Sequence, residues 1–356
     1  MEQNDTIQQM LSLIPQIAFC AKEDTICFVN GEASRCQLEA GMSVHSLLMT
    51  GTEEYAGFSG GCLYLTLRIC GRTCGATVTR VGECNLFLLE QETEKAELRA
   101  IALAAQELRL PLSSIMTVAD ELIPEASDSA ATEMAARINR GLSRLLRIVG
   151  NMSDAYRYEQ EPEACMESRN ITAVFEEIFE HSAALLQKSG VCLSYKGLTH
   201  PVLCLADKEK LERAVNNLLS NAVIYAPKNS TIRATLTLTG TLLSLTIQDE
   251  GTGFAPETRS NVYERFRREP GIEDGRHGIG LGMVLVRSVA SMHGGTVLMQ
   301  QSPETGTKVT MTMKLRQSTN ALVRSPAFRV DYAGERDHAL IELSDVLPPE
   351  LYSKGT

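Results

Sequence analysis

The chain has 356 residues, of which 44% are hydrophobic and 22% charged, with a formal net charge of -10 and a sequence pI near 5.3. This length predicts two or three domains, and the ordinary hydrophobic content argues against long disordered regions. The acidic balance excludes a phosphate-neutralising surface, so we expect no nucleic acid among the partners. The polar, acidic N-terminus and the absence of an 18-residue apolar run predict a cytoplasmic chain with no membrane span.

Residues 1–92 predict an α+β sensor module. Short apolar runs flank a charged turn in IAFCAKEDTICFVN, and the runs GCLYLTLRIC and CNLFLLEQ predict later strands. The first stretch resembles the opening hairpin of PAS sensor domains. Seven of the ten cysteines fall here, and their irregular spacing without a C-x-x-C pair favours buried free thiols over a redox or metal role.

Residues 93–160 predict an antiparallel helical hairpin. Apolar residues follow each other at alternating steps of three and four along 98–122 and 138–156, with Pro124 and EASDSA between the two runs. A lone hairpin cannot bury both seams, so we expect a four-helix dimer, with a linker coiled coil as the open alternative. The predicted seams are Leu98, Ile101, Ala105, Leu108, Leu112, Ile115, Ala119 and Leu122, then Ile138, Leu142, Leu145, Val149, Met152 and Tyr156.

Residues 161–316 predict an α/β sandwich. One helix should end at Gly190, the next should begin at a cap on Asp207, and the runs STIRATLTLT and LLSLTIQDE predict strands. In the extension 317–356, we expect FRVDY and HALIELS to form a hairpin around AGERD, and we assign no chemistry to it.

Three separate signals in the sandwich fit one ligand. Asn217 and Asn221 lie four apart on a predicted helix, so both amides project from one face, where a carbonyl can ligate Mg²⁺ that holds phosphates. Asp249 precedes a glycine turn and can accept a hydrogen bond from the exocyclic amine of a flat ring. A second glycine-rich turn before a helix can cradle phosphate. The glycines of the two turns are Gly251, Gly253, Gly278, Gly280 and Gly282.

In this order, the signals resemble the ATP-binding domain of histidine kinases and of their relatives among gyrases, mismatch-repair ATPases and heat-shock chaperones. NNLLSNA looks like the N box, DEGTGF the first glycine box, YERFRR the F box, HGIGLG the second glycine box, and SMHGGTV with ETGTKVTM the closing strands. The resemblance covers residues 168–316 and implies ATP and Mg as cofactors. It places Asn217 and Asn221 at phosphate and Mg, Asp249 at adenine, and a mobile lid at 261–276. Nucleotide contacts are also implied for Tyr225, Thr307 and the five glycines.

One position departs from that family. Histidine kinases usually carry Lys or Arg where this chain has Ile224, so a cation facing the phosphates is missing. Losing one such contact typically costs about 1–3 kcal/mol, which weakens ATP binding without necessarily abolishing it.

The stretch AAQELRLPLSSI resembles the histidine-kinase H box, S-H-E-L-R-T-P-L. Gln106 replaces the phosphoacceptor His, and Leu110 replaces a Thr associated with phosphatase activity. The nitrogen lone pair of a carboxamide is delocalised, so Gln106 cannot form a phosphoramidate, and Glu107 becomes a vestigial base. Gln106 shares an outward face with Leu103 and Leu110, and this face predicts packing against the chain's own ATP-binding domain or against a partner. The hairpin contains no histidine to substitute as acceptor.

Together these features predict a multidomain α+β protein: a PAS-like sensor, a hairpin forming a dimeric four-helix bundle, and an α/β sandwich that binds Mg-ATP. We expect a phosphoacceptor-deficient member of two-component signalling that acts through conformation, as a homodimer or as a heterodimer with a related kinase, with a response regulator as a further partner. Two alternatives stay open: an active kinase that phosphorylates another protein, and a nucleotide-independent scaffold, which Ile224 favours.

Overall fold

The computed structural model describes residues 8–90, 92–122, 129–160, 166–253, 281–302, 306–316 and 337–353. Residues 8–90 form a five-stranded antiparallel sheet with two short helices, Gly31–Arg35 and Thr52–Ala56. The predicted opening hairpin is confirmed, since β1 pairs antiparallel with β2. The strands are β1 (Ala18–Lys22), β2 (Thr25–Val29), β3 (Cys62–Ile69), β4 (Arg72–Val81) and β5 (Cys84–Leu89), in the order β2-β1-β5-β4-β3.

Three of the cysteines in residues 8–90 are buried in the core of this region. Cys20, Cys62 and Cys84 are buried, and burial raises the pKa of each thiol, that of Cys20 to about 12. A protonated thiol is a poor nucleophile and metal ligand, so these three behave as small core residues.

Two long helices form the hairpin, Glu92–Leu122 and Ser129–Gln160, and the first continues through Pro111. Their contact buries Ala105, Leu112 and Met116 on the first helix against Leu142, Leu146 and Val149 on the second. No helix within the described ranges has both the length and the apolar character that crossing a membrane requires.

Within one chain, the predicted seam is only partly buried. Leu108 and Ile115 are 52% and 55% exposed, although Ala105 and Leu112 beside them in the repeat are buried. A step of three residues falls about 60° short of a full helical turn, so the two rows diverge and the second helix covers only one of them. Ile138 and Leu145 are left exposed on the second helix in the same way.

The α/β sandwich lies between residues 166 and 316. Its helices are Ile171–Leu186, Lys208–Tyr225 and Gly282–Met292, and we call the last two the asparagine helix and the glycine helix. Both predicted boundaries are confirmed: Gly190 has φ of 74° after the first helix, and the Asp207 side chain accepts from the Lys210 backbone N–H at 3.2 Å. Its strands are β6 (Glu167–Asn170), β7 (Cys192–Lys196), β8 (Leu203–Ala206), β9 (Thr231–Thr239), β10 (Leu242–Gln248), β11 (Val297–Gln301) and β12 (Thr307–Lys314).

The sandwich and residues 8–90 share one sheet. Strand β3 pairs antiparallel with β11, which brings Tyr64 opposite Val297 and Cys62 opposite Met299. The ten strands run in the order β2-β1-β5-β4-β3-β11-β12-β10-β9-β7, and only the β7–β9 pair is parallel. Strands β6 and β8 form a separate pair.

Residues 337–353, which we call the C-terminal segment, contradict the predicted hairpin. The run HALIE is a helix, His338–Glu342, because the Asp337 side chain accepts from the backbone N–H groups of Ala339 and Leu340. The FRVDY run lies outside the described residues. The segment packs against the second hairpin helix and the asparagine helix, and it buries Ile341, Leu343, Leu347 and Tyr352.

Candidate nucleotide site

The asparagine helix presents Asn217 and Asn221 in different environments. Asn217 is 1% exposed, and its Nδ2 donates to the Arg213 carbonyl at 2.9 Å and to Glu342 Oε2 at 3.0 Å. Since a carboxamide nitrogen has two hydrogens, both are used within the protein. Asn221, one turn further on, is partly exposed. Of the two asparagines predicted to bind Mg²⁺ and phosphate, only Asn221 therefore lies at the surface.

Asp249 lies at a turn that also involves Tyr225, Gly251 and Thr307. Its Oδ1 accepts from the backbone N–H groups of Gly251 at 2.8 Å and Thr307 at 3.0 Å, and burial raises the pKa of the carboxyl group. A Cβ on Gly251 would overlap the Tyr225 carbonyl, so only glycine fits there. With Oδ1 held by the backbone, Oδ2 is suited to accept from the amine of adenine.

The start of the glycine helix lies against Asn217. A Cβ on Gly282 would stand 2.9 Å from Asn217 Oδ1, so glycine allows the two elements to approach closely. Gly253, in the first glycine turn, has φ of 74°, a conformation that favours glycine. Gly278, Gly280 and the predicted lid at 261–276 lie outside the described residues.

The H-box-like stretch is at the surface of the first hairpin helix. Gln106 and Glu107 are exposed, and Leu103 and Leu110 are 56% and 78% exposed. The predicted packing of this face against the ATP-binding domain is therefore not what the structure shows. The second hairpin helix contacts both the glycine helix and the C-terminal segment instead.

Sequence reasoning missed a buried charged cluster beside Asn217. Arg213 is 1% exposed, its Nη2 donates to Asn151 Oδ1 at 2.8 Å, its Nε donates to Glu342 Oε1 at 2.9 Å, and it is ion-paired with Asp154. Arg140, Arg144 and Arg147 recur at helical spacing on the second hairpin helix, and this basic row was a usable signal. Their partners, Glu342 and Asp345, lie some 200 residues away in sequence, for example 201 between Arg144 and Asp345.

Comparison with known proteins shows which family and which proteins this chain is similar to. Residues 206–317 match the family model of the histidine kinase-, DNA gyrase B- and HSP90-like ATPases. The chain is 26% identical over 223 residues to the sensor-like histidine kinase SenX3 of Mycobacterium tuberculosis, covering 62% of this chain and 54% of that protein. It is 31% identical over 210 residues to the sensor protein QseC of Salmonella typhi, covering 57% and 44%. The chain thus spans about half the length of these relatives.

Among solved structures, the fold is similar to that of full-length ShkA in complex with AMPPNP. The TM-score is 0.51 at 19% sequence identity, and the match covers 62% of this chain and 46% of that chain. At this identity the likeness concerns the fold alone.

Proposed function

We propose, from the premise that the chain belongs to the sensor histidine kinase family, that it binds Mg-ATP without forming a phosphohistidine on its hairpin. Its role in two-component signalling would then depend on conformation or on pairing with a related kinase. A homodimer, a heterodimer and a response regulator are the partners that this role requires.

The observation that carries ATP binding is the buried Asp249 turn. The carboxylate is fixed by the backbone N–H groups of Gly251 and Thr307, and the glycine at 251 leaves no side chain over the turn. A preset acceptor beside a glycine turn suits the amine edge of adenine. Asn221, partly exposed on the same side of the asparagine helix as Asn217, is the residue we assign to Mg²⁺.

The absence of autophosphorylation rests on Gln106. Bound Mg-ATP would supply a transferable phosphoryl group, but a carboxamide nitrogen lacks the free lone pair with which imidazole attacks phosphorus. Glu107 is exposed beside it and has no imidazole to activate. We therefore infer that the chain binds nucleotide as a conformational ligand.

Dimerisation is supported by the apolar row that the hairpin leaves uncovered. Leu108 and Ile115 on the first helix and Ile138 and Leu145 on the second are each at least 50% exposed. Two helices from a second subunit would cover this row and complete a four-helix bundle.

We propose a PAS-like sensor role for residues 1–92. Its opening hairpin and five-stranded sheet support this reading, and its edge strand β3 pairs with β11 of the ATP-binding domain. A signal received in the sensor region could thus reach the nucleotide site through one continuous sheet.

A nucleotide-independent scaffold is the second candidate. Ile224 removes a cation expected at the phosphates, and the Asn217 carboxamide is already bonded to Arg213 and Glu342. Both observations favour weak nucleotide binding or none.

A thermal-shift experiment on the full chain separates the two candidates. A ligand present at 100 times its Kd stabilises the folded state by about 2.7 kcal/mol, so saturating Mg-ATP should raise the Tm. Asn221→Ala and Asp249→Asn should each remove the shift. Mg-GTP is the ligand control, because guanine presents a carbonyl where adenine presents its amine. Absence of any shift with millimolar Mg-ATP would favour the scaffold.

A further inference from the structure

We infer that the cleft between the second hairpin helix and the asparagine helix is a docking site for an acidic peptide, held in this chain by the C-terminal segment, and that docking there competes with Mg-ATP. This inference rests on the proposed function, since it concerns the regulation of the same nucleotide site.

Glu342 anchors the segment in the floor of the cleft. Its carboxylate is fully buried, and it accepts from Arg213 Nε at 2.9 Å and from Asn217 Nδ2 at 3.0 Å. Arg147 Nε lies 3.4 Å from the same carboxylate. A buried carboxylate held by two guanidinium groups and an amide is a specific arrangement, because each unpaired charge would be costly there.

Asp345 makes a second anchor three residues further along the segment. Arg144 Nε donates to Asp345 Oδ1 at 2.7 Å, and Arg147 is ion-paired with Oδ2 of the same residue. Arg140 donates to the backbone carbonyls of Ser344 at 3.0 Å and Asp345 at 3.1 Å. The arginine row of the second hairpin helix therefore recognises both side chains and backbone of an acidic helical turn.

Apolar contacts complete the site. Ile341 is buried in the hairpin core beside Leu112 and Leu142, and Tyr352 is fully buried. Asn139 Nδ2 donates to the Tyr352 carbonyl at 3.4 Å, so polar contacts hold both ends of the segment. A peptide for this cleft therefore carries two acidic residues three apart next to aliphatic residues.

Competition with nucleotide follows from what Asn217 can bind. Both hydrogens of its Nδ2 are used by Arg213 and Glu342, so the amide cannot also donate to a phosphate while the segment is docked. We therefore expect docking of the C-terminal segment and binding of nucleotide to exclude each other at Asn217.

The test uses the full-length protein, Mg²⁺ and a fluorescent ATP analogue. Glu342→Gln removes a charge-assisted anchor, and the loss of such a bond weakens docking by about tenfold or more. Because weaker docking favours the nucleotide, the apparent Kd of Glu342→Gln for the analogue should be lower than that of the unmodified chain by up to about tenfold. Glu350→Gln is the matched control, because Glu350 lies in the same segment but is exposed, and it should leave the Kd unchanged.

Two further arms keep the inference testable if Glu342→Gln destabilises the fold. Arg144→Gln removes an ion pair at the partly exposed edge of the cleft and should also tighten analogue binding. A synthetic peptide of residues 337–353, added to Glu342→Gln, in which the cleft is intact, should weaken analogue binding again, and the same peptide carrying E342Q should not.

Each outcome separates the two proposals. Equal analogue affinity in the unmodified chain, Glu342→Gln and Arg144→Gln would overturn the competition and leave ATP binding intact. Failure of every variant to bind the analogue would overturn both proposals. Slower exchange of backbone amides 337–353 when Mg-ATP is added would contradict competition, which requires faster exchange.

Discussion

Asp249 is the residue on which the proposed binding of adenine depends most directly. Burial raises the pKa of its carboxyl group, so this group becomes protonated at a higher pH than an ordinary aspartate. The protonated form no longer offers a charged acceptor to adenine. ATP affinity should therefore fall as pH falls through the raised pKa, from neutral pH toward about pH 4.

Calorimetric titration of Mg-ATP across this range tests the assignment. Asp249→Asn should bind at least about tenfold more weakly at neutral pH and should show a flatter pH profile. The stability of the apo protein should run the other way, because a raised carboxyl pKa stabilises the folded state at low pH and this contribution is lost as pH rises through it. If the ATP affinities of the unmodified chain and of Asp249→Asn change with pH in the same way, then protonation of Asp249 does not control ATP binding.

Substitutions at Gln106 and Ile224 test the proposed absence of phosphotransfer. The unmodified chain should give no acid-labile phosphate with γ-labelled ATP, Gln106→His a weak signal, and Gln106→His with Ile224→Lys a stronger one. The second step is expected because a cation at position 224 would hold the phosphates, and a misplacement of about 1 Å can cost a hundredfold in rate. Phosphohistidine on the unmodified chain would refute the acceptor-deficient assignment, and an inert double variant would show that the geometry has also drifted.

At this scale, the sequence was informative where chemistry is local. Asp249 and Gly251 lie two residues apart and form the predicted glycine turn, whereas Thr307, 58 residues further on, is brought to Asp249 by the pairing of β10 with β12. The state of Asn217 could not be read in the same way, because its partner Glu342 lies 125 residues further along the chain. A helical spacing predicts which face an amide occupies but not which long-range partner meets it.

Among the elements, the hairpin carries two apolar rows with different partners. Leu112 is buried within the chain, whereas Leu108 is 52% exposed. Leu108→Glu should therefore dissociate a dimer into folded monomers, while Leu112→Glu, which buries a charge inside the chain, should unfold the hairpin. Light scattering at micromolar concentration together with circular dichroism distinguishes the two, and a monomeric unmodified chain would exclude the four-helix dimer.

The C-terminal segment should dock in a pH-dependent manner. His181 Nε2 lies 3.0 Å from Asp337 Oδ2, and this contact raises the pKa of His181, with Glu212 and Glu177 adding to the effect. Burial alone would raise the pKa of Asp337, but the hydrogen bond and charge of His181, together with the backbone N–H groups of Leu340 and Ala339, outweigh burial and lower it.

The direction of each pKa shift determines the pH range over which the contact stabilises the docked segment. The His181 contribution is complete below its ordinary pKa of about 6.5 and is lost as pH rises through the raised value; the Asp337 contribution is lost only as pH falls below its ordinary value of about 3.8. The Tm difference between the unmodified chain and His181→Gln should be largest between the ordinary pKa values of aspartate and histidine, about pH 4 to 6.5, and should shrink as pH rises through the raised pKa of His181. A difference independent of pH would mean that the pair does not hold the segment.

Element prediction succeeded where apolar periodicity was strong and failed where polar residues are buried. Strand β4 carries Thr77 and Thr79 in buried positions, so its run RTCGATVTRV lacks an apolar signal. The helix His338–Glu342 was read as part of a strand because five residues are too few for a helical period. Its Asp337 cap was the available signal.

For the whole molecule, one shared sheet joins residues 8–90 to the ATP-binding domain. The pairing of β3 with β11 brings together residues some 230 positions apart, and Arg287 of the glycine helix packs over the Tyr64 ring at 4.6 Å while pairing with Glu90. No local sequence pattern encodes such a contact. The sequence therefore predicted the two domains but not the strand pairing that joins them. If residues 8–90 act as the proposed sensor, this strand pairing connects them to the glycine helix of the proposed nucleotide site.

A pair of glycines tests whether this strand pairing couples the two regions. Gly61 and Gly41 have nearly the same φ, 96° and 94°, so Ala at either position carries a similar backbone cost of about 1–2 kcal/mol. Only at Gly61 would the new Cβ overlap the Met299 carbonyl on β11, whereas Gly41 has open space around it. By calorimetry, the unmodified chain and Gly41→Ala should each unfold in one transition that Mg-ATP raises. Gly61→Ala should split this into two transitions, of which Mg-ATP raises only the one from the ATP-binding domain. Identical behaviour of the two variants would mean that the strand pairing transmits nothing between sensor and nucleotide site.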